Sequence, residues 1–153
     1  MKYAASQDID ANHKVFSGLL PFLERKARTY TGAANLGAQG ATTLFTVTGT
    51  VLVKVLGACT VDIAGAGTLE VGISGNTAAI LAQIADATNL DAGESYLDAT
   101  PSTVESIDLS APFVIANGQD IIETIGTADL TAGTLTYYCF WRPLSANGMV
   151  VAA

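Results

Sequence analysis

A chain of 153 residues with a formal net charge of −7, half of it hydrophobic and 14% charged, is sized for one domain whose core needs no disulfide or metal. Seven Lys plus Arg against fourteen Asp plus Glu neutralise too few phosphates for a nucleic-acid binder, and the apolar content excludes intrinsic disorder. The uncharged stretch from Thr29 to Val53 holds seven threonines and four glycines, so no membrane span is expected, and the first residues lack the apolar run of a secretory signal.

Charge is distributed unevenly along the chain. Residues 1–28 carry five cations, Lys2, Lys14, Arg25, Lys26 and Arg28, against Asp8, Asp10 and Glu24, a net of +2. Residues 29–153 carry only Lys54 and Arg142 against eleven carboxylates, a net of −9. The division reads as a basic arm (1–28), a glycine-rich linker (29–40) and an acidic body (41–153). Within the arm, Pro21 suits the first position of a short helix running to about Arg28, where the three late cations would complement the helix dipole. A helix this short needs a surface to pack on. Phe16, Leu19, Leu20, Phe22 and Leu23 supply the apolar side, and the surface is either the protein's own body or a neighbouring subunit. The following Thr29–Gly40 is uncharged and has three glycines, which marks a linker.

From there the chain is a series of short β-type runs: Thr42–Thr48, Val51–Ile63, Thr68–Ile73, Thr77–Ile84, Glu94–Asp98, Val104–Leu109, Phe113–Ile115, Asp120–Ile125 and Thr134–Arg142. Leu69, Val71 and Ile73 alternate with Thr68, Glu70 and Gly72, so that strand has one buried face. Gly65-Ala66-Gly67, Ser74-Gly75-Asn76 and Asn117-Gly118 are turn signals, the first read as a tight hairpin. Alanines in Thr77–Ile84 favour helix, but the run is read as a strand. About nine short strands predict an all-β fold, an antiparallel two-layer sandwich of jelly-roll type with an N-terminal arm carrying a short helix. In the last run, alternation places Tyr138 and Phe140 on one face and Tyr137 and Trp141 on the other. One pair belongs to the core and the other to an edge or subunit contact, for which Tyr137 and Trp141 are the candidates.

Reactive chemistry is sparse in the sequence. His13 is the single histidine and lies in the arm beside Lys14, so no Ser-His or Cys-His nucleophile arrangement is expected. Cys59 and Cys139 sit in apolar runs without metal-ligand spacing and read as buried free thiols. Asp86, Asp91, Glu94, Asp98, Glu105 and Asp108 match no calcium motif and read as solvated loop carboxylates. No enzyme activity, cofactor or metal is therefore expected.

The runs Thr43-Leu44-Phe45-Thr46-Val47-Thr48-Gly49-Thr50-Val51-Leu52-Val53, Gly75-Asn76-Thr77-Ala78-Ala79, Asp91-Ala92-Gly93-Glu94 and Tyr138-Cys139-Phe140-Trp141-Arg142-Pro143-Leu144 together resemble small virion proteins encoded by tailed bacteriophages. In organisation the match is to capsid decoration, or cement, proteins, over roughly residues 41–144. That resemblance implies an N-terminal arm laid on the shell and a compact β domain that trimerises. It also implies the major capsid protein as partner, the capsid surface as location after synthesis in the host cytoplasm, and neither membrane nor nucleic acid as a ligand. The arm residues expected to meet the capsid are Phe16, Leu20, Phe22, Leu23, Arg25, Lys26 and Arg28. A receptor-facing fibre or head-spike module, and a tail or connector component, are the other roles considered.

Overall fold

The computed structural model describes residues 20–104 and 111–153 of the chain. These residues fold into ten strands and a single 3-10 turn, Ala87–Asn89. The strands are β1 (Phe22–Thr29), β2 (Gly40–Thr48), β3 (Val51–Ala64), β4 (Thr68–Ile73), β5 (Asn76–Ile84), β6 (Ser95–Tyr96), β7 (Phe113–Ile115), β8 (Ile121–Gly126), β9 (Ala132–Pro143) and β10 (Met149–Ala152). They form two five-stranded antiparallel sheets. The first has the order β1-β9-β3-β6, with β7 also paired to β3; the second has the order β10-β2-β8-β4-β5. An all-β sandwich is thus what the sequence pattern specified, because period-2 runs separated by turn residues can bury only one face each.

The core lies between the sheets. Val51, Val53, Val55 and Cys59 of β3 alternate inward with Leu135, Tyr137, Cys139 and Trp141 of β9, and they meet Phe45, Leu69, Val71, Leu81, Ile84, Ile121 and Ile125 of the second sheet. Near the end of β3 the register against β9 shifts twice, between Cys59 and Val61 and again before Ala64. The irregularity leaves Thr60, Val61 and Asp62 in solvent and returns Ile63 to the core, as a β-bulge does when it re-aims a strand.

Four sequence expectations need correction. Residues 22–29 form strand β1 rather than a helix, paired with β9 from Phe22↔Trp141 to Thr29↔Thr134. Leu, Glu, Arg, Lys and Ala are good helix formers, but eight residues of ladder plus the burial of Arg28 outweigh a propensity worth tenths of a kcal/mol per residue. Residues 29–40 are likewise built into the body instead of linking to it. Tyr30 is buried, Tyr30 N–H donates to Gly133 O at 3.0 Å, Gly32 N–H to Leu130 O at 2.9 Å and Leu130 N–H to Gly37 O at 2.8 Å. Gly37, at φ +113°, lets this loop lie directly on Leu130, where a Cβ would collide with the carbonyl. Gly65-Ala66-Gly67 is a crossing from the first sheet to the second, not a hairpin, since β3 and β4 belong to different sheets. Finally, Glu94–Asp98 shortens to the two residues of β6.

Other expectations hold. Residues 76–84 are strand, joined to β4 by the Ser74-Gly75 turn with Gly75 at φ +85°. Asn117 and Gly118 both have positive φ, 64° and 66°, as a sharp turn requires. The expected strand Val104–Leu109 falls outside the described residues except for Val104, which is exposed. Strand β10, preceded by the turn signal Ala146-Asn147-Gly148, is four residues long and was not anticipated.

Candidate interaction surface

Sequence reasoning placed the candidate contacts on the N-terminal segment, and the structure divides them. Phe16 lies outside the described residues, as do His13, Glu105 and Asp108. Leu20 is half-buried just before β1. Because β1 is the edge of its sheet, its two faces differ. Leu23, Arg25, Ala27 and Thr29 share the outward side, facing Phe140, Tyr138, Thr136 and Thr134 of β9 in register. Phe22, Glu24, Lys26 and Arg28 share the inward side. Leu23 is 51% exposed and Arg25 is exposed next to it. Phe22 is 48% exposed while its ring packs on Trp141 with centroids 4.7 Å apart, so it caps the open end of the core. Lys26 Nζ donates to the carbonyl of Ala153 beyond β10, which ties the edge of one sheet to the edge of the other.

Arg28 is removed from the candidate contacts. Its guanidinium is buried and forms an ion pair with Glu123 of β8 on the opposite sheet. Arg28 Nε donates to Glu123 Oε1 at 3.1 Å and Nη1 donates to Asn35 O at 2.8 Å; Nη2 lies 3.1 Å from Oε1 but off the hydrogen-bond direction. The other carboxylate oxygen, Oε2, accepts from Tyr30 Oη at 2.6 Å and from Tyr137 Oη at 2.8 Å. Glu123 is 0% exposed, and a carboxylate so deeply placed persists only when paired and hydrogen-bonded. The cluster is closed upon itself and spans β1, the following loop, β8 and β9. Burial, and after it the Glu123 charge, push the Tyr30 and Tyr137 hydroxyls well above their usual value, so both remain proton donors.

Tyr137 and Trp141, the candidate subunit-contact pair, are core residues, corrected by the phase of β9. Leu135, Tyr137, Cys139 and Trp141 are buried within one chain, whereas Tyr138 and Phe140 lie half-buried on the outer face. Alternation separates the pairs but does not say which one faces inward. Cys139, between them, is buried and its thiol is pushed up to about 12, first by burial and then by the charge of Glu24; Cys59 is buried and raised for the same leading reason.

The loop carboxylates fix backbone. Asp86 Oδ1 accepts from Thr88 N–H at 3.0 Å and Thr88 Oγ1 at 2.7 Å, and Asp98 Oδ1 accepts from Thr100 N–H at 2.7 Å and Thr100 Oγ1 at 2.8 Å. The repeated Asp-Ala-Thr triplet is the legible signal for both turns. These bonds hold both carboxyls below the ordinary carboxylate range. Glu94 Oε2 accepts from Asp91 N–H at 2.9 Å, and Asp62 Oδ1 from Ala92 N–H at 2.7 Å. Among the described residues no group of three or more His, Cys, Asp and Glu is placed to hold a metal ion, and no described helix is long and apolar enough to cross a membrane.

Sequence reasoning missed Glu123 and Tyr30. Glu123 could have been flagged as a carboxylate on the apolar phase of Ile121-Ile122-Glu123-Thr124-Ile125, with Ile121 and Ile125 buried on either side. No family model, curated protein sequence or solved structure matches this chain.

Proposed function

We propose that this protein is a structural component of a tailed-phage virion, a capsid decoration protein that binds the outer surface of the major capsid protein shell and stabilises it, three copies acting together. The observation that carries this reading is the edge of the first sheet. Phe22 and Leu23 stay about half exposed and Arg25 is exposed beside them, on a strand whose inward side is locked to the body by Arg28. Such a strand is a fixed platform, so contacts made there are transmitted to a rigid body. A shell-reinforcing protein needs apolar area and multiple copies rather than a reactive group.

The order of strands supports a jelly roll. What supports this reading is the pair of orders β1-β9-β3-β6 and β2-β8-β4-β5, with the chain changing sheets at every connection but β4–β5 and β6–β7, eight strands to which β7 is added on β3 and β10 outside β2. That architecture serves in capsid and in lectin domains alike. The lectin-like side of that comparison keeps a receptor-facing head-spike or fibre module as the second reading.

The test is the position of the full-length protein in intact particles by imaging, together with rebinding to shells stripped of it. Density over the capsid lattice and resistance of reloaded shells to heat are the expected results. Density confined to fibre tips, the tail or the connector would overturn the decoration role. Deleting residues 2–19 is the appropriate truncation, since a cut after residue 28 would remove strand β1 and the partner of Glu123.

A further inference from the structure

The outer face of the first sheet is more unusual than the edge alone. Opposite residues on β1, β9 and β3 form rows: Leu23, Phe140 and Lys54, then Arg25, Tyr138 and Leu56. Beyond them Arg142 stands opposite Leu52, which in turn faces Val114 of β7. Three of the five described cations therefore occupy this face. No carboxylate takes an outward position in the rows from Leu23 to Ala27, Leu52 to Ala58 and Thr136 to Arg142. In a protein of net charge −7 such a segregation is a local inversion of sign. Neither Arg25 nor Lys54 has an ion-pair partner among the described residues. Two aromatic rings occupy the middle strand with a cation on each flank, and Leu23 and Val114 remain 51% and 52% exposed.

We propose that this face is the docking surface for an acidic protein: a partner surface with apolar groups at its centre, meeting Tyr138, Phe140 and Leu56, and carboxylates placed to meet Arg25 and Lys54. Charge complementarity selects this occupant. An isologous contact with a second copy would bring two faces of the same sign together. A nucleic acid would find few cations here on a chain repelled by its own net charge. A protein interface uses an apolar, aromatic centre with charges outside it, and charges steer and orient the contact. The inference rests on the virion reading only for the identity of the partner, the shell protein.

Two experiments on the full chain decide it. In the first, the isotopically labelled protein is titrated with a twelve-residue peptide alternating Glu and Leu, followed by amide chemical shifts. Shifts concentrated at Leu23, Arg25, Lys54, Leu56, Tyr138 and Phe140, with affinity reduced about tenfold or more by Arg25→Glu with Lys54→Glu, are expected. Shifts on another surface, or undiminished binding by the variant, would overturn the proposal. Arg25→Gln with Lys54→Gln serves in place of the charge reversal if that variant loses its native near-ultraviolet dichroism. A change in the solution mass of the protein alone on charge reversal would also overturn it, identifying a second copy as the occupant. In the second, amine acylation of Lys54 is compared in the free protein and in particles that carry it. Protection in the particle supports the face as the contact. Equal reactivity there removes the face while leaving the virion role standing. If no particle carries the protein, the virion role fails and the peptide titration still decides the face.

Discussion

Glu123 joins the two sheets chemically, and its environment makes several substitutions predictable. Its Oε1 serves Arg28 and its Oε2 serves Tyr30 and Tyr137. Replacing it with Ala leaves the Arg28 charge buried and two phenols without acceptors, an expected loss of about 3–5 kcal/mol. Tyr137→Phe removes one donor while Tyr30 still holds Oε2, so about 1–2 kcal/mol is expected. Denaturant midpoints of the two variants, measured at equal slope, check the ranking; equal losses would contradict it. The phenols also set a pH dependence. Their folded pKa values lie well above the ordinary 10.0, so the protonated form is the one the fold favours. Stability from this source is fully present below about pH 10 and falls as pH rises from there toward the folded values. Unfolding free energy measured from pH 8 to pH 11 should decline at the alkaline end, and the decline should weaken in Tyr137→Phe. Cys139, with its thiol pushed up to about 12, should react with iodoacetamide at pH 8 only on the timescale of global opening.

At the scale of elements, strand β1 and the loop after it are where local preference and final structure part. Phe-Leu-Glu-Arg-Lys-Ala-Arg-Thr has the composition of a helix, and its period-2 character is masked because the inward positions hold Glu24, Lys26 and Arg28. Polar groups are tolerated there because an edge strand covers only part of the core: Lys26 reaches the Ala153 carbonyl and Arg28 finds Glu123. Seven of the other strands, all but β6 and β10, were legible since their alternation or apolar runs are plain, as in Val51-Leu52-Val53-Lys54-Val55 with buried residues at every second place. Removal of residues 2–28 should abolish the thermal transition, because strand β1 is lost and Glu123 loses its counter-charge. Gly37→Ala tests the loop. With φ at +113° and the Leu130 carbonyl in the place of a Cβ, it should lose about 2 kcal/mol or more, read as a lowered melting temperature. A silent substitution would mean the loop is not docked as described.

For the molecule as a whole, nearly every connection between the described strands crosses from one sheet to the other, and among them only β4–β5 is a hairpin between neighbouring strands. Pairings such as β1 with β9, and Arg28 with Glu123, join residues about a hundred positions apart in the chain. Loop closure must therefore precede most of the stabilising contacts, and refolding should fall in the millisecond-to-second range typical of all-β domains. Stopped-flow Trp141 fluorescence would check this, and a microsecond phase accounting for all the amplitude would contradict it. The same architecture concentrates cations on one outer face of an acidic protein, which no sum over the sequence discloses: a net charge of −7 says nothing of where Arg25 and Lys54 meet.

The sequence by itself determined the β class, the positions of seven of the strands to within a few residues and the apolar setting of both cysteines, because alternation and turn residues act locally. It also yielded Leu23 and Arg25 as exposed candidates, though within an expected helix. Only the tertiary structure decided that residues 22–29 are an edge strand, that Arg28 is spent on Glu123, and that Tyr137 and Trp141 face inward while Tyr138 and Phe140 face out. Those outcomes depend on which face of β9 meets the second sheet and on a carboxylate supplied from β8. Pairing partners distant in the chain set both, and local periodicity carries no record of them.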